Sequence, residues 1–358
     1  MKYNFEIKKT ATPKLKPDPN TLKFGKVFTD HMFTMEYQTG KGWYDGRIIP
    51  YGPLSIDPAA AVFHYGQEMF EGMKAYRTPD DRILLFRPYK NADRAYASNE
   101  RMCMPGVDPE LFVSAVRALV NIERDWVPAK PGTSLYIRPF VIADDPFLGV
   151  HAADHYMFII ICSPVGPYYD VPGGGIAPTS IYVEDEYVRA AVGGVGFAKV
   201  GGNYAASLKA QHRANSLGCA QVLWLDAVEH SYVEEIGTSN AFFMIGDEVI
   251  TAPLLGTILP GVTRASVIEL LKAWDIKIVE RRLRIADVRK AADDGSLKEI
   301  FASGTAAVIS PVGKLVFKDS QLTVGDGGVG ELAKRLYETL YGTQTGILAD
   351  DFGWTVEV

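Results

Sequence analysis

The chain has 358 residues, 47% of them hydrophobic and 22% charged, with a formal net charge of −6 at pH 7. That length predicts roughly two domains, each able to bury a core, and the mixed, slightly acidic charge excludes a basic face for nucleic acid or an anionic membrane. Three isolated cysteines, Cys103, Cys162 and Cys219, form no CxxC and fit a reducing cytoplasm rather than a disulfide scaffold or a structural zinc site.

From the start, Met1 to Pro19 is rich in Lys and Pro without an apolar core, which does not read as a secretory signal. Phe28 to Tyr37 and Arg82 to Phe86 are expected to be extended, the second following the loop Thr78-Pro79-Asp80-Asp81. Asn91 to Met102 and Pro109 to Asp125 predict helices, and in the second Leu111, Ala115, Leu119 and Ile122 recur on one face. Ser134 to Ile142 and His155 to Cys162 return to strand. The apolar run Met157 to Cys162 is far too short to span a bilayer.

Residues 166–175, GPYYDVPGGG, form a linker near mid-chain, because Pro and Gly there interrupt both helix and strand. Its two tyrosines, Tyr168 and Tyr169, suggest a loop that covers something. Beyond it the pattern predicts a strand over Ile176 to Val183, a helix over Tyr204 to Leu217, and strands over Gln221 to Leu225 and Ala241 to Val249. A helix from Arg264 to Trp274, extended pieces at Glu299 to Val308 and Leu315 to Lys318, and a helix from Glu331 to Tyr341 complete the series. Strands and helices do not alternate strictly, so the fold class is a mixed α+β or α/β assembly rather than a regular doubly wound sheet.

Three segments carry chemistry. Residues 193–204 hold Lys199 among five glycines, just before a helical pattern. A lysine that condenses with an aldehyde must be accessible yet partly desolvated, so that its neutral amine is available; the alternative is a solvated loop lysine. Pro260-Gly261-Val262-Thr263-Arg264 opens an amphipathic helix. Its first N–H groups, with the Thr263 hydroxyl, suit a phosphate, although a plain helix start capped by Thr263 fits the same residues. Glu234-Glu235 leads toward the apolar run Ala241-Phe242-Phe243-Met244, where a carboxylate needs a partner. A protonated pyridine nitrogen would be one; backbone or water would be another.

Two patterns point elsewhere and are set aside. Gly325 to Gly330 matches GxGxxG and precedes a helix, but no second parallel strand follows, so a glycine-rich turn is expected. His151 and His155 stand four apart without the HExxH pattern and precede a strand, so no metal site is expected.

Together these pieces resemble the branched-chain amino acid aminotransferases, which are fold-type IV enzymes using pyridoxal 5′-phosphate (PLP). The resemblance runs through FGKVFTDHM (24–32), FEGMKAY (70–76), FRPYKNADR (86–94), KVGGNY (199–204), EEIGTSN (234–240), ILPGVTR (258–264) and SGTA (303–306). It implies that Lys199 forms the Schiff base with PLP and then moves the substrate proton. Tyr204 would bond the cofactor phenolate oxygen and Glu235 the pyridine nitrogen. Arg94, Val262, Thr263 and Thr305 would hold the phosphate, with Leu259 completing the cofactor set. For the substrate it implies aromatic walls from Phe24, Phe70, Tyr136 and Tyr168. Tyr65 and the N–H groups of Thr305 and Ala306 would meet the α-carboxylate, and Arg138 the distal carboxylate of glutamate. Mammalian members carry a CxxC just after SGTA; here Ala307 and Ser310 stand there.

The implied protein is a two-domain α/β (mixed α+β) homodimer of the cytoplasm. A smaller N-terminal domain would span 1–165, an interdomain loop 166–175, and a larger PLP-binding domain 176–358. The expected reaction exchanges the amino group of L-leucine, L-isoleucine or L-valine with 2-oxoglutarate, alternating between PLP and its amine form. A D-amino acid aminotransferase or an aminodeoxychorismate lyase of the same fold type is the nearest alternative. A non-catalytic glycine-loop protein that binds an anion is the alternative from another class; it would show no absorbance change with PLP.

Overall fold

The computed structural model describes residues 3–168, 171 and 175–358. In chain order the first elements are β1 (Glu6–Ile7), β2 (His31–Gln38), β3 (Gly42–Pro50), α1 (Ala61–Tyr65), β4 (Glu68–Phe70), β5 (Met73–Arg77) and β6 (Ile83–Phe86). Next come α2 (Pro88–Arg101), α3 (Pro109–Ile122), β7 (Ser134–Ala143), β8 (His155–Val165), β9 (Thr179–Val183), α4 (Gly201–Ala205) and α5 (Leu208–Ser216). Then follow β10 (Gln221–Leu225), β11 (Val233–Ile236), β12 (Ser239–Ile245), β13 (Glu248–Thr251), α6 (Val262–Ala273), β14 (Lys277–Glu280) and α7 (Ile285–Asp293). The last are β15 (Leu297–Gly304), β16 (Val308–Val316), β17 (Gln321–Thr323), α8 (Glu331–Gln344) and β18 (Thr355–Glu357). This is the mixed α/β class expected.

The chain forms two compact units. One comprises residues 1–167, 198–201 and 342–358; the other comprises 168–197 and 202–341. The break near residue 167 falls at the Pro- and Gly-rich segment. A linear division at 166–175 does not contain the two returns of the chain, one of which carries Lys199, and these returns bring the units to comparable length. Composition marks where a chain is easily interrupted, not where a later segment packs. Tyr169, Asp170 and Pro172 to Gly174 lie outside the described residues.

The first unit is built on one nine-stranded sheet in the order β1-β3-β2-β8-β7-β5-β6-β18, with β4 added to β7. Its centre is the long antiparallel pair β7–β8, in register from Ser134 opposite Val165 to Ala143 opposite Tyr156. Successive strand residues point to opposite faces: Leu135 and Ile137 are buried, while Tyr136 and Arg138 share the other, partly open face. The α3 helix starts on Pro109 behind Asp108, whose carboxylate accepts from the N–H groups of Glu110 (3.0 Å) and Leu111 (3.1 Å). Leu111, Ala115 and Leu119 are buried as the periodicity requires, and Phe112, Val113, Val116 and Val120 are buried as well. The helix is therefore covered on more than one face.

The second unit also has a nine-stranded sheet, ordered β11-β10-β9-β16-β15-β12-β13-β14, with β17 on β16. A further pairing of β11 with β12 joins six of these strands into a closed ring. Alternation decides the packing. Leu223 and Leu225 of β10 join one buried cluster with Ile181 and Val183, while Val222 and Trp224 join another with Ala210 and Ala214 of α5. The helix expected over Tyr204 to Leu217 is two, α4 and α5, separated by a turn at Ala206-Ser207.

Both set-aside patterns are structural. Gly325 and Gly327 have φ of 56° and 85° in a turn after β17, which is antiparallel to β16. His151 faces Asp145 and His155 faces Asp144, and no group of metal-ligating side chains occurs among the described residues. No helix among them is long and apolar enough to cross a membrane.

Candidate active site

In the first unit, Lys199 is held through its backbone. Its N–H donates to Ser98 Oγ (2.9 Å) on α2, and its carbonyl accepts from Phe70 N–H (3.0 Å) at the end of β4. Gly201 N–H donates to Glu68, and a Cβ on Gly201 would lie 2.5 Å from Glu68 Oε1, so a larger residue there would have to displace the Glu68 carboxylate. The Lys199 side chain is half-buried, with Nζ 4.7 Å from the centre of the Phe70 ring. Burial, and then the nearby Arg94 guanidinium, bring its pKa down to about 8; Glu71 opposes them. Near neutral pH a usable fraction of the amine is thus unprotonated and can attack a carbonyl carbon.

Arg94 and Glu71 flank that amine. Arg94 Nε reaches Glu71 Oε1 at 2.7 Å and Nη2 reaches Oε2 at 2.8 Å, and Asn91 Nδ2 adds a bond to Oε2 at 2.8 Å. Burial alone would raise the Glu71 pKa, but Arg94, then Lys199 and Asn91, outweigh it and hold the carboxyl below its ordinary value. Beside them, Arg138 lies 4.6 Å from the Phe70 ring centre and donates to the Tyr136 hydroxyl at 3.0 Å. Phe24 meets Tyr136 edge-on at 4.8 Å. Phe24, Phe70, Tyr136, Arg138 and Lys199 therefore form one connected cluster: aromatic walls, a cation and a depressed amine. Tyr65 belongs to the same unit and donates its hydroxyl to the Leu148 carbonyl.

In the second unit, β11 and β12 pair with Glu235 opposite Asn240. Glu235 is 2% exposed. Its Oε1 accepts from Leu259 N–H (2.8 Å) and Asn240 Nδ2 (3.1 Å), and its Oε2 lies 3.1 Å from Arg189 Nε. Asn240 Nδ2 also donates to the Leu259 carbonyl at 2.9 Å, tying the strand pair to the segment before α6. Gly261 is the N-cap of α6, and no side chain caps it. Thr263 lies inside the helix, so the reading in which it caps the start does not hold. Val262 and Thr263 are buried at the positive end of the helix dipole. Thr305 and Ala306 form the turn between β15 and β16, and Tyr204 sits in α4. Tyr168, the first residue of this unit, is 54% exposed.

Sequence reasoning did not single out Glu71, Ser98, Glu68, Arg189 or Asn240. Glu71 and Asn240 lie inside quoted motifs, where a carboxylate between Phe70 and Gly72 and an amide entering an apolar run were the available signals. Arg189 had none: nothing in the chain announces that it will meet a carboxylate 46 residues later.

A family model described as class IV amino-transferase matches residues 68–315. The chain is 55% identical over 357 residues to branched-chain-amino-acid aminotransferase 2 of Bacillus subtilis (strain 168), covering 100% of this chain and 98% of that protein. To branched-chain-amino-acid transaminase 1 of the same organism it is 56% identical over 353 residues, covering 99% of each. Among solved structures it resembles the Escherichia coli branched-chain amino acid aminotransferase, with TM-score 0.72, 25% identity, and coverage of 91% of this chain and 98% of that one. A similar match is a second branched-chain amino acid aminotransferase, solved with pyridoxamine 5′-phosphate, with TM-score 0.74, 25% identity, and coverage of 90% and 97%. The chain belongs to the class IV aminotransferases.

Proposed function

We propose that this protein exchanges the amino group of L-leucine, L-isoleucine or L-valine with 2-oxoglutarate, using PLP and giving the branched 2-oxo acids and L-glutamate. The observation that carries the reading is Lys199, a glycine-flanked, half-buried lysine whose pKa falls to about 8 beside an arginine. The relatives named for branched-chain amino acids and the neighbour solved with pyridoxamine 5′-phosphate support the substrate class and the cofactor.

The donor set suits PLP. When bound, PLP supplies an aldehyde carbon for the amino group and a ring that draws electrons from the substrate α-carbon. Lys199 would hold that aldehyde and, as a neutral amine, take up and return the α-proton. Tyr204 would bond the phenolate oxygen. Glu235, which accepts from Leu259 N–H and Asn240 and lies against Arg189, would pair with the protonated pyridine nitrogen. The start of α6 at Val262 and Thr263, together with Thr305 and Arg94, would hold the phosphate, with Leu259 completing the cofactor set. Arg94 already serves Glu71 through two nitrogens, so the uncapped helix start carries more of the anion.

For the substrate, Phe24, Phe70, Tyr136 and Tyr168 would enclose the aliphatic side chain. Tyr65 and the N–H groups of Thr305 and Ala306 would take the α-carboxylate, and Arg138 the distal carboxylate of glutamate. A cation stacked on Phe70 and hydrogen-bonded to Tyr136 is not left buried without partners when leucine occupies the same space. The reading includes a homodimer of the cytoplasm; three free cysteines are in keeping with that compartment.

The test is spectroscopic. Protein loaded with PLP should absorb in the near-visible and bleach with L-leucine, then recover with 2-oxoglutarate. Turnover of D-alanine without turnover of L-leucine would instead favour a D-amino acid aminotransferase. Normal turnover by Lys199→Ala would sink the assignment of Lys199.

A further inference from the structure

Arg189 joins three separate segments of the second unit. Its side chain is 7% exposed, and Nε lies 3.1 Å from Glu235 Oε2 on β11. Nη2 donates to the Gly196 carbonyl (3.0 Å), in the glycine-rich run, and to the Thr257 carbonyl, two residues before Leu259. One planar guanidinium thus faces a carboxylate with one nitrogen and two main-chain carbonyls with another. Neither lysine nor a neutral side chain reproduces that fork.

The two carbonyls belong to backbones in close contact. A Cβ on Gly196 would lie 2.6 Å from the Thr257 carbonyl oxygen and 2.9 Å from Thr257 Cα, so a larger residue would part the segments. Asn203 Nδ2 donates to the preceding carbonyl, that of Val195, at 2.9 Å, and Lys199 follows Gly196 by three residues. On β11, Leu259 N–H and Asn240 fix Glu235 Oε1, and Arg189 is the cation at Oε2. Glu234, the neighbouring acid, accepts from Thr257 Oγ1 at 2.6 Å. Burial raises the Glu234 pKa, against the Thr257 bond and then Arg189; Asp226 raises it further and Arg282 lowers it. A cation within about 4 Å favours the ionised form of a carboxylate. Removing Arg189 would take a counterion from Glu235 and a donor from both carbonyls.

We propose that Arg189 is a positioning residue for PLP: it sets the charge and direction of Glu235 while pinning the glycine-rich run against Thr257. This rests on the reading in which Glu235 pairs with the pyridine nitrogen. A protonated ring nitrogen repels the proton on the nitrogen that joins Lys199 to the cofactor. When the ring loses that charge, the proton is held to higher pH.

Titration of the near-visible absorbance of the PLP-loaded protein against pH tests the proposal. The expected result is a midpoint higher than the parent's by at least ~0.5 pH unit in Arg189→Gln and in Glu235→Gln. The double variant should shift no further than Glu235→Gln alone, because Arg189 acts through that carboxylate. A merely structural role would weaken PLP retention without moving the midpoint. An Arg189→Gln midpoint equal to the parent's, or a shift that adds in full to that of Glu235→Gln, overturns the proposal. In either case a shift in Glu235→Gln leaves the pairing of Glu235 with the pyridine nitrogen standing. No shift in Glu235→Gln overturns both. If Arg189→Gln does not fold, Arg189→Met, which keeps the buried apolar stem, decides by the same comparison.

Discussion

Arg94 and Glu71 form a buried bidentate pair, at 2.7 and 2.8 Å, next to the amine of Lys199. The pair sets the charge that this amine sees. Burial lowers its pKa most; Arg94 lowers it further and Glu71 raises it, so the pair adjusts how much neutral amine is present.

Glu71→Gln should therefore act in two ways. It leaves the Arg94 charge buried without its counterion, a change that costs about 3–5 kcal/mol, readable by urea unfolding. It also removes the group that props up the Lys199 pKa, so that pKa should fall below its value of about 8. PLP uptake by apoprotein, followed against pH, would shift its midpoint downward. An unchanged midpoint would show that Glu71 does not act on Lys199.

Lys199 also makes a stability prediction. Its pKa in the folded protein is about 8 against an ordinary 10.5, so between those values the unfolded chain holds a proton that the folded protein does not. Stability of the apoprotein should then rise with pH across that window. Below pH 8 both states are protonated and the full penalty of burying the charge remains. Lys199→Met should be more stable than the parent below pH 8, and the difference should shrink by pH 10. Unfolding curves for both proteins at several pH values check this.

Gly261→Ala probes the packing behind Glu235. A Cβ at Gly261 would lie 2.0 Å from Asn240 Oδ1, and the same side chain bonds both Glu235 and the Leu259 carbonyl. Displacing Asn240 should cost about 1–3 kcal/mol and weaken PLP retention more than it weakens the fold. Comparing the melting temperature with and without excess PLP separates the two effects.

Arg138→Met should separate the two half-reactions. The variant keeps an apolar wall but loses the cation over Phe70. The L-leucine half-reaction should change by less than about threefold, while the L-glutamate half-reaction should slow by on the order of 10²-fold. Equal loss in both, measured by stopped-flow bleaching, would mean that Arg138 does not read the distal carboxylate.

Strong local patterns were legible in the chain. The period of α3 and the apolar runs of β8 and β12 follow from burial on one or both faces, which leaves a mark in any window of sequence. Other elements left none. In β3, Ile48 is the one buried residue of Gly42–Pro50, so no hydrophobic alternation betrays the strand. In β11 the pattern is Val-Glu-Glu-Ile with all four residues buried, and two carboxylates there make sense only once Arg189, Asn240, Thr257 and Leu259 have been brought around them.

By itself the sequence determined the chemistry on offer: a lysine among glycines, a Pro-Gly helix start, an acidic pair at a strand, and aromatics around Arg138. These are local choices of residue type, and each is readable where it stands. Tertiary structure decided their state. Only folding buries the amine of Lys199, sets it between Arg94 and Glu71, and turns Glu235 and Glu234 to opposite faces of one strand. Ionisation depends on neighbours in space, and those neighbours are scattered along the chain.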